Sequence, residues 1–385
     1  MISEERKKWA QDFFDQCEQK LSRVTDDLSF DYPVAIFDDG KTYEEAKSAA
    51  PYNWMSGFWG GMMWLLYLQT GKEKYKNRAI QASDRMQDVF GNHDHFYCLD
   101  SHDLGFVVGM TNIPHYKLLN DEQAKLRAHH AALLLAGRYN PIGEYIVAWS
   151  KPNPSMPGNT NGVAIIDCLL NLPLLYWATE ATGDLRFSAI AKKHVDMAVR
   201  DFIKPDGSVY HIVNKDPKTG AVIGHPQGQG YGEGTSWSRG QSWGIYGFLM
   251  SYIHTGDKKL LEASKKVANY VIANFGDYKL APVDYMQPAV PAYVDASANA
   301  ISACGMLELA KYCDGEEAER YIDFAFRLLE DLYDDCDFSD KNQAVVQSVA
   351  QMYKDAHSCH PFIYADYFLL EALMMIIGET DYFMW

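Results

Sequence analysis

The chain has 385 residues, 48% of them hydrophobic, and carries a formal net charge of −16 from 51 acidic and 35 basic residues. That balance allows a large buried core and excludes nucleic acid as a natural partner, because phosphate binding needs a basic field. Any anionic ligand must be held by local positive groups working against the overall field.

The N-terminal stretch opens directly into an amphipathic helix pattern, Trp9, Phe13, Phe14, Cys17 and Leu21, with no apolar region of the signal-peptide kind. No uncharged apolar run approaches the roughly 18 residues that a membrane-spanning helix needs. Seven cysteines, at 17, 98, 168, 304, 313, 336 and 359, include no CxxC pair. They read as free thiols in a reducing compartment rather than as a disulfide frame or zinc site. The expectation is a cytoplasmic protein with neither a membrane nor a nucleic-acid partner.

Apolar spacing along the chain is mostly helical, as in Leu260-Leu261-Ala263-Val267-Ala268-Val271-Ile272 and in Tyr321 to Leu332. Strand-like alternation is confined to short stretches such as Ser208 to Val213. A degenerate turn recurs, with an aromatic helix end, then Gly, then a polar or acidic residue. It appears at Tyr67 to Lys72, Tyr176 to Asp184 and Tyr252 to Asp257, and more weakly at Tyr312 to Glu316. Leu119 to Glu122 is a further candidate. Glycine suits a left-handed C-cap and the following acid suits the next N-cap. Turns roughly 50 to 75 residues apart make each unit about one helical hairpin, and some six hairpins fit the chain. No linker or low-complexity segment interrupts them, so residues 1–385 are expected to form one domain, either an open stack or a closed toroid.

Four stretches depart from plain amphipathic helix. The first, Asn53 to Trp64, holds three tryptophans and three glycines, which suits either sugar stacking or tight helix packing. In Ser101-His102-Asp103-Leu104-Gly105-Phe106 the acid and its histidine suit either acid–base work or a helix cap. Val163 to Trp177 reads as one apolar helix whose strongly polar side chains, Asp167 and Asn171, share a face at i and i+4. Burial would raise the pKa of Asp167 and leave a proton for general acid catalysis. The plainer alternative is a buried acid at a kink before Pro173. In the fourth stretch, Gly228 to Gly247, Arg239 lies between Trp237 and Trp243. That pattern suits a carboxylate docked on a guanidinium beside stacked rings, or else a structural cation–π cluster. Histidines 93, 95, 102, 129 and 130 have no metal-ligand spacing and read as surface or capping residues.

Taken with Asp366 to Leu373, these stretches resemble, in order and over nearly the whole chain, the unsaturated glucuronyl hydrolases of glycoside hydrolase family 88. The resemblance implies an all-α (α/α)6 barrel and no cofactor or metal. It implies removal of a 4,5-unsaturated uronic acid from the non-reducing end of lyase-generated oligosaccharides. It makes Asp167 the general acid and base and Asp103 the second catalytic carboxylate. Substrate-pocket positions carry over to Trp54, Trp149, His211, Gln227, Gln229, Trp237, Arg239 and Trp243, with Arg239 near the uronate carboxylate. The implied route hydrates the C4=C5 vinyl ether instead of protonating the glycosidic oxygen. The segment Tyr353 to His360 lacks the Ser- and Lys-containing pattern that reads a sulfate group in some members, which puts a preference for sulfated fragments in question. The alternatives are an unsaturated rhamnogalacturonyl hydrolase acting on pectin fragments, or a non-catalytic helical-repeat carbohydrate-binding protein. The oligomeric state is not readable.

Overall fold

The computed structural model describes residues 2–29, 31–37, 39–45, 53–87, 90, 101–149, 160–355 and 359–378. Among these are twelve α-helices: α1 (Glu4–Asp27), α2 (Ser56–Thr70), α3 (Glu73–Arg85), α4 (Met110–Leu119), α5 (Glu122–Ala136), α6 (Pro173–Thr182), α7 (Leu185–Asp201), α8 (Ser238–Thr255), α9 (Lys258–Phe275), α10 (Ala296–Ala310), α11 (Gly315–Tyr333) and α12 (Ile363–Ile377). Seven short strands lie in the connections: β1 (Pro33–Ala35), β2 (Glu44–Glu45), β3 (Tyr139–Asn140), β4 (Tyr145–Ile146), β5 (Val163–Ile165), β6 (Ile212–Lys215) and β7 (Val222–Gly224).

The helices pair as hairpins, α2 with α3, α4 with α5, α6 with α7, α8 with α9 and α10 with α11. The sixth pair joins the two ends of the chain, α12 with α1. The even-numbered helices form the inner ring, in which α8 packs on α10, α10 on α12, and α12 on α2. This closes the (α/α)6 barrel. Composition sorts the two rings. Every residue of α10 and of α12 is buried. In contrast, α11 buries one stripe, including Tyr321, Phe324, Ala325, Leu328, Leu329 and Leu332, and turns its acidic and basic side chains outward.

The repeated turns match their expected chemistry. Gly71, Gly183 and Gly256 cap α2, α6 and α8 in the left-handed region at φ 68°, 74° and 70°. Asn120 does the same for α4 at φ 55°. Asp121, Asp184 and Asp257 then accept backbone N–H groups at the next N-terminus. The weaker copy departs from this pattern: α10 ends at Lys311 as its C-cap, and Gly315 opens α11 instead of closing a helix.

Candidate active site

A short backbone ladder brings four distant segments together. Strands β5 and β6 pair antiparallel, with Ile165 opposite Ile212. Ile166 N–H donates to the His211 carbonyl at 3.1 Å, and Ala148 N–H donates to Val163 at 2.8 Å. His102 N–H then donates to Ala148 at 3.0 Å, and Ser101 bridges Trp149. Asp103, Trp149, Asp167 and His211 all hang from this ladder.

The apolar run Val163 to Trp177 is therefore not one helix. It forms strand β5, a single 3-10 turn over Ile166–Leu170, and then α6. The β-branched Val163 and Ile165 favour the pairing with β6. Pro173 stands at the first position of α6, where its missing N–H goes unused and its fixed φ suits a helix start. Asp167 and Asn171 consequently do not share a helical face. Asn171 is fully buried, accepts the Phe106 N–H at 2.9 Å and donates to the Asp167 carbonyl at 3.4 Å. It locks the Asp167 turn to the π-helical turn Gly105–Gly109. That approach requires Gly105, where a Cβ would stand 2.7 Å from the Asn171 Cα.

Seven of the ten expected residues line one pocket of about 310 Å³: Trp54, Asp103, Trp149, Asp167, His211, Gln229 and Arg239. That volume is at the low end for small-molecule sites and suits a terminal sugar unit. Ile165, Gln351 and Met352 complete the lining and were not anticipated. The three other expected residues stand behind the wall. Trp237 packs against the His211 ring, tilted by 48°, with centroids 4.3 Å apart. Trp243 is fully buried against Phe106 and Phe368. Gln227 spends its amide on the Gly230 and Tyr231 carbonyls and so braces the loop. The tryptophan-rich stretch divides in the same way: Trp54 lines the pocket, while Trp59 and Trp64 are core.

Burial, followed by the charge of Asp103, pushes the Asp167 carboxyl up to about 7. Arg239, its own backbone N–H and the Trp243 indole pull the other way without overcoming burial. The indole N–H closes no hydrogen bond, and Asp167 Oδ1 has no hydrogen-bond partner. His211 is held neutral, pushed down to about 3 by burial and by Arg239. Its Nδ1 accepts the Gln229 N–H at 3.0 Å, so its hydrogen sits on Nε2, 3.6 Å from Asp167 Oδ1. Gly228 makes that contact possible, since its φ is 60° and a Cβ there would lie 2.0 Å from His211 Nδ1. Asp103 accepts the Ser101 hydroxyl at 2.5 Å and caps no helix; the residue before the π turn is Leu104.

Arg239 is buried and its charge is matched within the chain by the fully buried Asp295. It also donates to the Ala350 and Gln351 carbonyls at 2.9 and 2.7 Å. Three of its five donors are thereby used, and the buried Nε is left without a partner. The rings over its guanidinium are Trp237 at 4.6 Å and Tyr364 at 5.4 Å, not the expected Trp243. Asp284 organises the preceding loop by accepting from Tyr231, Thr235 and Ser236.

Among the described histidines, His102 is fully buried rather than at the surface or in a cap; His93 and His95 lie outside the described residues. Among the described residues no three His, Cys, Asp or Glu side chains cluster as metal ligands.

A closed helical toroid whose pocket holds an acid raised to about 7 together with a second acidic side chain has the equipment of a glycoside-cleaving enzyme. The family model of Glycosyl Hydrolase Family 88 matches residues 29–278, and the chain belongs to that family. Unsaturated glucuronyl hydrolase of Bacillus sp. (strain GL1) is 35% identical over 337 residues, covering 86% of this chain and 88% of that protein. Unsaturated chondroitin disaccharide hydrolase of Streptococcus pneumoniae (strain ATCC BAA-255 / R6) is 29% identical over 362 residues, covering 92% and 90%. The crystal structure of unsaturated glucuronyl hydrolase from Bacillus sp. GL1 superposes with a TM-score of 0.86 at 31% identity, over 95% of this chain and 96% of that one.

Proposed function

We propose that this chain, as one catalytic domain over 1–385, removes a 4,5-unsaturated uronic acid from the non-reducing end of lyase-generated oligosaccharides. The observation that carries the reading is Asp167, a buried acid raised to about 7, in the pocket that Asp103 also lines. Its proton goes to C4 of the unsaturated ring. Positive charge then develops at C5, where the ring oxygen shares it. Asp167, now a carboxylate, takes a proton from water as the water oxygen bonds to C5. The C5 hemiketal opens by breaking the bond to the ring oxygen, and the hemiacetal left at C1 expels the remaining sugar as an alcohol.

The surrounding groups suit these steps. His211 Nε2–H faces Asp167 Oδ1 and stabilises the carboxylate once its proton has left. Asp103, which lines the same pocket, stabilises the charge building on the ring. Arg239 lines the pocket and brings its positive charge to the uronate carboxylate, and Trp54 and Trp149 provide faces for the sugar. Among the described residues no helix is long and apolar enough to cross a membrane. The free cysteines support a reducing, cytoplasmic setting.

A panel of unsaturated disaccharides from chondroitin, hyaluronan, heparin, gellan and pectin lyases tests the reading. The enzyme is expected to consume the ultraviolet absorbance of the conjugated double bond with at least one uronate from the first four. Turnover of the pectin rhamnogalacturonyl substrate alone would transfer the chain to the rival specificity. No turnover on any of them would leave a binding protein.

Asp103→Asn gives a second check. The Asp103 charge helps raise Asp167, so its removal lowers the Asp167 pKa. The alkaline limb of the kcat/KM profile, where the protonated acid is lost, is expected to move to lower pH along with a fall in rate. An unmoved limb would separate the two carboxylates electrostatically.

A further inference from the structure

Behind Asp103 lie two buried histidines that the steps above do not use. His194, on α7, is fully buried. Its Nδ1 accepts the Ile146 N–H at 2.9 Å, so as a neutral ring it carries its hydrogen on Nε2. That Nε2 has no hydrogen-bond partner, and neither ring nitrogen of His102 has one. Ile146, whose N–H holds the His194 ring, and Ala148, whose carbonyl accepts the His102 N–H at 3.0 Å, lie two residues apart on one segment, so the two histidines are neighbours; Lys215 is the other group that bears on His194. Lys215 is a cation paired with Asp201 and cannot accept a hydrogen bond. The His102 ring can. The other side of that ring is fixed by geometry, with His102 Nε2 at 3.4 Å from Asp103 Oδ1. Leaving two such rings unpaired in the interior would be costly, whereas a chain of donors and acceptors satisfies both.

We propose that His194 and His102 form a positioning relay, in which the His194 Nε2–H serves His102 Nδ1 through one buried water and so fixes the His102 hydrogen on the nitrogen facing Asp103. Asp103 then receives two donors, the Ser101 hydroxyl and the His102 Nε2–H, which set the direction of its carboxylate in the pocket. Both rings remain neutral, since burial is the leading cause that lowers each of them. Asp103, Arg138, His194 and His211 are the titratable groups that bear on His102. The relay rests on the assignment of Asp103 to the catalytic pair but can be read independently of turnover.

Two substitutions at one position separate the relay from a purely structural role. Asn places its polar atoms where Nδ1 stands and keeps the Ile146 anchor, whereas Gln reaches the Nε2 position and keeps a donor towards His102. The relay requires His194→Asn to lose about tenfold or more in kcat with little change in KM, and His194→Gln to recover most of it. A structural anchor gives the reverse order, and that order, or equal losses in both, overturns the relay. Should either variant fail to fold, the nitrogen-15 spectrum of the His102 ring in the unaltered enzyme decides. The hydrogen is expected on Nε2, and finding it on Nδ1 refutes the relay whether or not Asp103 proves catalytic.

Discussion

Replacing Asp167 by Asn is expected to lower kcat by at least about 10³-fold while KM stays within a few-fold, because a general acid contributes roughly 10²–10⁴ and this one must also activate the water. The amide keeps the shape of the side chain but has no proton to give to C4 and no carboxylate with which to direct the water. In the unaltered enzyme, activity is expected to hold below pH 7 and to fall as pH rises through about 7, the value to which burial lifts Asp167. The same shift acts on stability. The folded protein keeps this proton up to about pH 7, whereas an ordinary Asp releases it near 3.8. Stability is therefore lost as pH rises across that window, by up to about 4 kcal/mol if the whole shift is realised. Asp167→Asn removes this cost, so at pH 8 its Tm is expected to exceed that of the unaltered enzyme. Parallel kinetics and thermal melts at pH 5 and pH 8 check both halves. Near-normal turnover, or a lower Tm at pH 8, would remove Asp167 from the role of buried acid.

Arg239→Ala is expected to cost more stability than any other single change in the pocket wall, about 3–5 kcal/mol. It strands the fully buried Asp295, which would keep only its contacts to Ser297. It also removes the donors to Ala350 and Gln351, which hold the loop that supplies Gln351 and Met352 to the pocket. Denaturant unfolding measures the loss. Asp295→Asn in the same background is expected to recover part of it, because the stranded charge is then gone and the two effects are coupled. Equal losses in the presence and absence of Asp295 would mean that the pair is not what holds this wall.

The helical grammar was open to sequence reading because its signals are local. Gly71, Gly183, Gly256 and Asn120 mark left-handed C-caps, and Asp121, Asp184 and Asp257 mark the N-termini that follow. The joining of α12 to α1 is a long-range contact with no local mark. Asp167 was visible as an acid among apolar residues, but its secondary structure was not. Apolar runs are ambiguous between strand and helix, and the pairing with β6 that decides the matter lies some 50 residues away. Asn171 looked like a partner on the same face and is instead a brace to the Phe106 backbone. Trp237 and Trp243 were visible as the tryptophans flanking Arg239, but sequence order alone could not tell a pocket wall from what stands behind it. Asp295 caps α10, and its ion pair with Arg239 spans 56 residues with no local mark. Gln351 and Met352 belong to a connection without periodicity and left no mark.

The central claim is that a protein side chain delivers a proton to C4, and the most direct measurement is turnover of an unsaturated disaccharide in deuterium oxide, with the product trapped at once by borohydride and read by NMR. A proton handed over by a fixed carboxyl reaches one face of the ring. One deuterium is therefore expected at C4, on a single face, in the product of the unaltered enzyme. Deuterium distributed over both faces, as when a released enol takes it up from solvent, would contradict delivery by Asp167.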